Sequence, residues 1–210
     1  MIKVENKAVF GFEGALRGMR NPLNSWHKAD SKYDEHGNIV ELGPNDLDLM
    51  LRLTRAGTSH RKVLRMIHIQ MDITAPMYWW KDYDTYKVGT VANGCSTMHK
   101  IHDVEFTLDM FAHDGLDDCA LHSLILTIDT LNAYREKYIK SGLKDKQAWH
   151  SMIKLLPMSY LQKRTVDINY EVAVAIINDR EFHKLYEFRE LCAILRTFPY
   201  LNKIANATVK

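Results

Sequence analysis

No apolar run in the sequence approaches the length of a membrane span, and no block of like charges interrupts it. The first absence argues against a transmembrane helix. The second, with 28 basic and 26 acidic side chains mixed along the chain for a formal charge of +2, leaves nothing that demands a nucleic-acid backbone or an anionic membrane as partner. Cysteine is scarce. Cys95, Cys119 and Cys192 are odd in number, far apart and without a CxxC spacing, which argues against a disulfide framework or a thiolate zinc site and fits reduced thiols. No Walker loop, GxGxxG, HExxH or GxSxG is present, so the common phosphate-cradling, zinc-protease and hydrolase-elbow readings have no foothold. Charges at Lys3, Glu5, Lys7, Glu13 and Arg17 break up the N-terminal segment. A soluble, cytoplasmic protein is expected, built as a single domain over residues 1–210 without repeats or linkers.

An apolar fraction of 46% furnishes a core of ordinary size. Loose alternation from Ile2 to Phe12 predicts a first strand, after which GALRGMRNP supplies turn residues. The polar stretch from Ser25 to Gly43 reads as a loop or hairpin tip. Leu47, Met50, Leu51 and Thr54 then recur at helical spacing behind Pro44 and stop at Gly57. Strict alternation from Met66 to Pro76 puts Ile67, Ile69, Met71 and Ile73 on one face and is the clearest strand. MYWWKDYDTYK reads as an aromatic helix running into a loop, VGTVANGCST. Leu121 to Tyr138 predicts a long amphipathic helix ending near Gly142, and Lys146 to Leu156 a second, interrupted by Pro157. Beyond it, Val166, Tyr170, Ala173 and Ile177 suggest one helix, and Leu185 through Phe198 another. Strands and helices do not alternate regularly, so an α+β fold with a small, mostly antiparallel sheet and long helices is expected.

Two clusters invite a chemical reading. His99, His102, His113 and His122 with Asp103 could gather a divalent metal, but their spacing matches no metal signature, and polar histidines are the favoured reading. Tyr78, Trp79, Trp80, Tyr83 and Tyr86 could stack on a flat ligand, though aromatic residues at helical spacing more often fill a core or an interface.

The segment LLPMSYLQKRTVDINYEVAVAIINDREFHKLYEFREL is more specific. It holds Leu156-Pro157, a basic residue at Lys163 or Arg164, Asn169 on a helix, Arg180 at that helix's end, and Tyr186-Glu187 on the next. In order and spacing, apart from a one-residue shortening between Arg180 and Tyr186, this resembles the C-terminal block of flavin-dependent thymidylate synthases. Upstream, the helix from Asp46 to Ala56, the Gly57 turn, the strand through Ile73 and the aromatic helix look like that family's first half. Its signature loop begins Arg-His-Arg and continues through Ser, Asn-Glu, Ser and Arg. Here the matching stretch is TYKVGTVANGCSTMHK, with Tyr86 in place of the His, Lys87 of the second Arg, Thr90 of the first Ser, and Cys95, or Asn93 and Ser96 in a shifted register, further on. The Glu and the closing Arg are missing, and the Gly-His-x-Ser turn reads Gly57-Thr58-Ser59-His60.

The resemblance implies transfer of a one-carbon unit to C5 of a deoxyuridine-type monophosphate, with FAD as cofactor and NADPH and a methylene-folate as co-substrates. It implies that Arg180, with Lys87, Thr90, Ser96, and Lys163 or Arg164, binds the pyrimidine nucleotide. Tyr86, Lys87, Asn93 and Asn169 would meet the flavin, and no metal is needed. A planar guanidinium suits both a phosphate and the carbonyl edge of uracil, where negative charge develops during reaction, so Arg180 is the expected catalytic group. It further implies a homo-tetramer, into whose interfaces exposed rings between Tyr78 and Tyr86 would fit. Two alternatives stay open: a related pyrimidine modification such as hydroxymethylation, and a relative that binds nucleotide without turning it over.

Overall fold

The structure, a computed structural model, describes residues 2–208; the outermost positions of the 1–210 span lie outside it. Among these residues the strands are β1 (Lys3–Phe10), β2 (Lys32–Tyr33), β3 (Ile39–Glu41), β4 (His68–Pro76), β5 (Thr90–Gly94) and β6 (Leu161–Asn169). The helices are α1 (Phe12–Met19), α2 (Pro44–Arg55), α3 (Lys62–Arg65), α4 (Met77–Tyr83), α5 (Asp118–Lys140), α6 (Lys146–Leu155), α7 (Tyr170–Arg180), α8 (Tyr186–Leu195) and α9 (Leu201–Asn206).

Four strands form one sheet in the order β1-β4-β6-β5, and β2 pairs antiparallel with β3. Cross-strand partners give the directions, because in an antiparallel pair a step forward on one strand is a step back on the other. Asn6 bonds Asp72 at 2.8 Å while Phe10 stacks on His68. His68 meets Asp167 at 2.7 Å and Asp72 meets Thr165 at 2.6 Å. Asn169 N–H donates to Gly89 O and Cys95 N–H to Lys163 O. All three pairings are antiparallel, and the fold is the α+β arrangement expected. The alternation in β4 does what it predicts, with Ile69 and Ile73 fully buried and Gln70 exposed.

Contacts group the chain into two compact units, with β4 and β6 contributing residues to both. One consists of Val4–Asp72, Thr85–Ala92 and Thr165–Lys210. Its core is built on Phe12, Ala15 and Leu16 of α1, Met50 of α2, and the buried faces of α7 and α8. Inside it Arg20 and Asp46 form a buried ion pair at 2.6 Å, and Ser31 Oγ and the N–H groups of Asp30 and Ser31 donate to the same carboxylate.

The other unit comprises Ile73–Asp84 and Asn93–Arg164 with the chain's first residues up to Lys3. There α5 and α6 close over Ile101, Phe106, Phe111, Leu131 and Met152. In α4, Trp79, Trp80 and Tyr83 pack ring against ring at 4.8–5.2 Å between centroids, each at most 1% exposed. These three rings are core and not exposed as expected for a subunit interface, whereas Tyr78 and Tyr86 are half-buried.

Four further expectations change. GALRGMRNP is mostly helix α1, whose Phe12, Ala15 and Leu16 lie three and four apart on one buried face. Gly11 permits its start: φ is +93°, and a Cβ there would collide with the Met66 carbonyl. VGTVANGCST, expected as loop, contains edge strand β5. The helix expected from Val166 to Ile177 is strand β6 up to Asn169 and helix α7 from Tyr170. Phe198 lies beyond the end of α8.

Candidate functional site

Helix α7 begins where β6 ends because Asn169 caps it, its Oδ1 accepting the Val172 N–H at 3.0 Å. Ala173, Ile176 and Ile177 then bury the helix in its unit, and Arg180 arrives as its last residue, where the helix macrodipole favours a cation. The Arg180 guanidinium donates from Nε to the Tyr86 hydroxyl at 3.0 Å. Its carbon lies 5.1 Å from the centroid of the fully buried Phe188 ring and 5.7 Å from that of Tyr86. The Tyr86 hydroxyl in turn faces Asp179 Oδ2 at 3.4 Å. Burial holds the Tyr86 phenol above its ordinary range, opposed by the hydrogen bond from Arg180.

The short segment that carries Tyr86 is shaped by Gly89, whose φ of +78° is unfavourable for residues with a Cβ. A side chain at that position would also run into Asn169 Nδ2. The Gly89 carbonyl accepts the Asn169 N–H at 3.2 Å, so the segment meets α7 at its start as well as at its end. Lys87 is exposed beside it. Thr90 Oγ1 is buried and has no hydrogen-bond partner among the described residues. Of the expected site residues, Tyr86, Lys87, Thr90, Asn169 and Arg180 belong to this unit; Asn93, Ser96, Lys163 and Arg164 belong to the other.

In that other unit Arg164 lies over the Trp80 ring, 4.3 Å from its centroid. Its Nη1 donates to both Asp84 oxygens, at 2.9 and 3.2 Å, and its Nε to Gln162 Oε1 at 3.0 Å. Gly94 leaves room for the stem, since a Cβ there would lie 2.9 Å from Arg164 Cγ. Lys163 accepts the Cys95 N–H through its carbonyl. Ser96 Oγ accepts the N–H groups of Met98 and His99, a turn-capping role, and Asn93 is exposed in β5. Trp80, Asp84 and Gln162 were not singled out as Arg164 partners from sequence; the acidic residue following the aromatic helix was the available signal. Among the described residues no three His, Cys, Asp or Glu side chains gather as a metal site would require. His113 Nδ1 engages the Phe111 carbonyl at 2.8 Å, and His102 stands edge-on to Tyr138.

This antiparallel sheet with its order of helices is the fold of flavin-dependent thymidylate synthases. Among solved structures, the chain is similar to thymidylate synthase X (ThyX) from Helicobacter pylori with FAD and dUMP, at a TM-score of 0.69 and 14% identity over 100% of both chains. A second structure of that flavin-dependent enzyme with FAD and dUMP gives 0.67 and 15%, over 99% of this chain and 100% of that one. The UMP/dUMP methylase PolB from Streptomyces cacaoi, bound with 5-Br dUMP, gives 0.67 and 12%, over 99% and 96%. No protein-family model and no curated protein matches the sequence.

Proposed function

We propose that the chain is an enzyme that binds a flavin and a deoxyuridine-type monophosphate and adds a one-carbon unit to C5 of the pyrimidine. The observation that carries this reading is the full-length likeness to structures holding FAD and dUMP, to which Arg180 gives a chemical basis. The donor set fits a flavin beside a nucleotide. Thr90 offers a buried hydroxyl without a protein partner among the described residues, Asn169 a buried carboxamide beside Gly89, and Lys87 an exposed ammonium. In this reading Asn169 holds the isoalloxazine, and Lys87 lines the same cofactor site. Bound flavin supplies hydride, with NADPH as reductant and a methylene-folate as the one-carbon source.

The protein's own part is binding and charge. Arg180, permanently cationic, holds the nucleotide and stabilises negative charge as it develops on the uracil carbonyl edge. Lys87 and Thr90 complete the phosphate contacts. The working assembly is a homo-tetramer, which sedimentation equilibrium tests directly. No helix among the described residues is long and apolar enough to cross a membrane.

A second reading is favoured by Tyr86 and Lys87, which stand where the family's loop has His and Arg: a different pyrimidine nucleotide or a hydroxymethyl product. Mass spectrometry of reactions containing FAD, NADPH, methylenetetrahydrofolate and UMP, dUMP or dCMP in turn separates the two. Methylated dUMP as the sole product supports the first reading. Turnover of UMP or dCMP, or a hydroxymethyl product, supports the second, and no product from any of them refutes catalysis of this kind.

A further inference from the structure

The segment from Tyr86 to Gly89 is tied to both ends of α7, through Gly89 O and the Asn169 N–H at the start and through the Tyr86 hydroxyl and Arg180 Nε at the end. Three residue steps of extended chain reach at most about 10 Å, whereas a helix of 11 residues is about 16 Å long. The long side chains of Tyr86 and Arg180 bridge the remainder, and the tyrosine presents both a ring and an acceptor there.

An arginine side chain has several rotatable bonds, and fixing them on a ligand costs affinity unless the protein has fixed them first. At Arg180, Tyr86 takes Nε and places its ring near the guanidinium, while Phe188 places a second, fully buried ring at 5.1 Å. A hydrogen bond through Nε sets the plane of the fork and leaves the orientation of both Nη groups determined by geometry. The acceptor is a phenol, whose own hydroxyl is in turn anchored on Asp179 Oδ2 at 3.4 Å.

We propose that Tyr86 is a positioning residue for the nucleotide, acting through Arg180 by locking the guanidinium in one plane before substrate arrives. This assigns Tyr86 to the nucleotide side of the site instead of the flavin side, and it rests on the reading of Arg180 as a nucleotide-binding group.

The test is a double-mutant cycle read by dUMP binding in the FAD-loaded protein, with FAD affinity and thermal stability measured in parallel. Tyr86→Phe keeps the ring and removes the acceptor; it raises the Kd for dUMP about tenfold, the range for losing one hydrogen bond to a charged group. Tyr86→Leu removes the ring as well and weakens dUMP further. In both, FAD affinity stays within about twofold of the wild type, which a loss of general packing would not leave untouched. In an Arg180→Ala background the Tyr86→Phe change has no further effect on dUMP, because nothing remains to be positioned. An equal Tyr86→Phe penalty with and without Arg180, or none in either, overturns the positioning role while leaving the proposed function standing. Wild-type protein that binds FAD but not dUMP overturns the proposed function itself, and the positioning role with it.

Discussion

Arg164 and Arg180 are the same side chain set near aromatic rings in two parts of one molecule, and their partners differ. Arg164 sits 4.3 Å from the centroid of a buried tryptophan and gives Nη1 to both oxygens of the Asp84 carboxylate. Arg180 sits near Tyr86 and Phe188 and gives Nε to a phenol. A carboxylate cancels the charge it orients, whereas a phenol only orients it. The first arrangement ties a strand to an aromatic helix; the second holds a helix-end guanidinium against two rings and a hydroxyl. At Arg164, one of the two positions expected to bind nucleotide, the guanidinium meets Asp84, Gln162 and the Trp80 ring.

The largest effect tests the structural half of that contrast. Trp80 is 1% exposed, donates from Nε1 to the Gln162 carbonyl and carries Arg164 on its face. Trp80→Ala is expected to destabilise the protein by about 3–5 kcal/mol, measured by denaturant unfolding. A loss within experimental error would mean that this unit is not held by its aromatic cluster.

Next, Arg180→Ala should weaken dUMP binding about a hundredfold while moving stability by less than about 1 kcal/mol. A variant that unfolds yet binds nucleotide normally when folded would exchange the roles of the two arginines. Arg164→Ala should show the reverse pattern at smaller scale, costing about 1–2 kcal/mol of stability and changing dUMP affinity little. Equal nucleotide penalties at both positions would erase the distinction.

The smallest effect is a null with a sign. Burial raises the Tyr86 pKa, so any stability it contributes is fully present below the ordinary tyrosine value near 10 and is lost only as pH rises through the folded value. Nucleotide affinity should therefore show no step between about pH 8 and 9.5 that Tyr86→Phe abolishes. Such a step, seen by titration at each pH, would show the phenol ionising beside Arg180.

The parts of this picture that were legible in the sequence are those in which one periodicity stands alone. β4 alternates with Ile69, Met71 and Ile73 inside, and α5 repeats Leu124, Ile128 and Leu131 on one buried face. The Arg180 block could be placed because its residues are close in sequence and lie along consecutive elements. β6 was obscured because Val166 and Ile168 alternate only briefly before Tyr170 and Ala173 start a helical pattern in the same apolar run. β5 has no apolar alternation at all, and its strand character comes from pairing with β6, a long-range contact that its own composition does not encode. Arg164 stands out in the sequence but its partner Asp84 does not, for the same reason, since the two are 80 residues apart. In α1, Gly14 and Gly18 suggested a turn, but tertiary burial of Phe12, Ala15 and Leu16 outweighed their poor helix propensity.

The central claim is that the fold is used here to bind flavin and pyrimidine nucleotide together, and the visible absorption spectrum of the purified protein supplied with FAD tests it most directly. The account predicts a yellow protein whose flavin bands remain after desalting and shift when dUMP is added, with that shift lost in Arg180→Ala. A colourless protein after desalting, indifferent to dUMP, would contradict it.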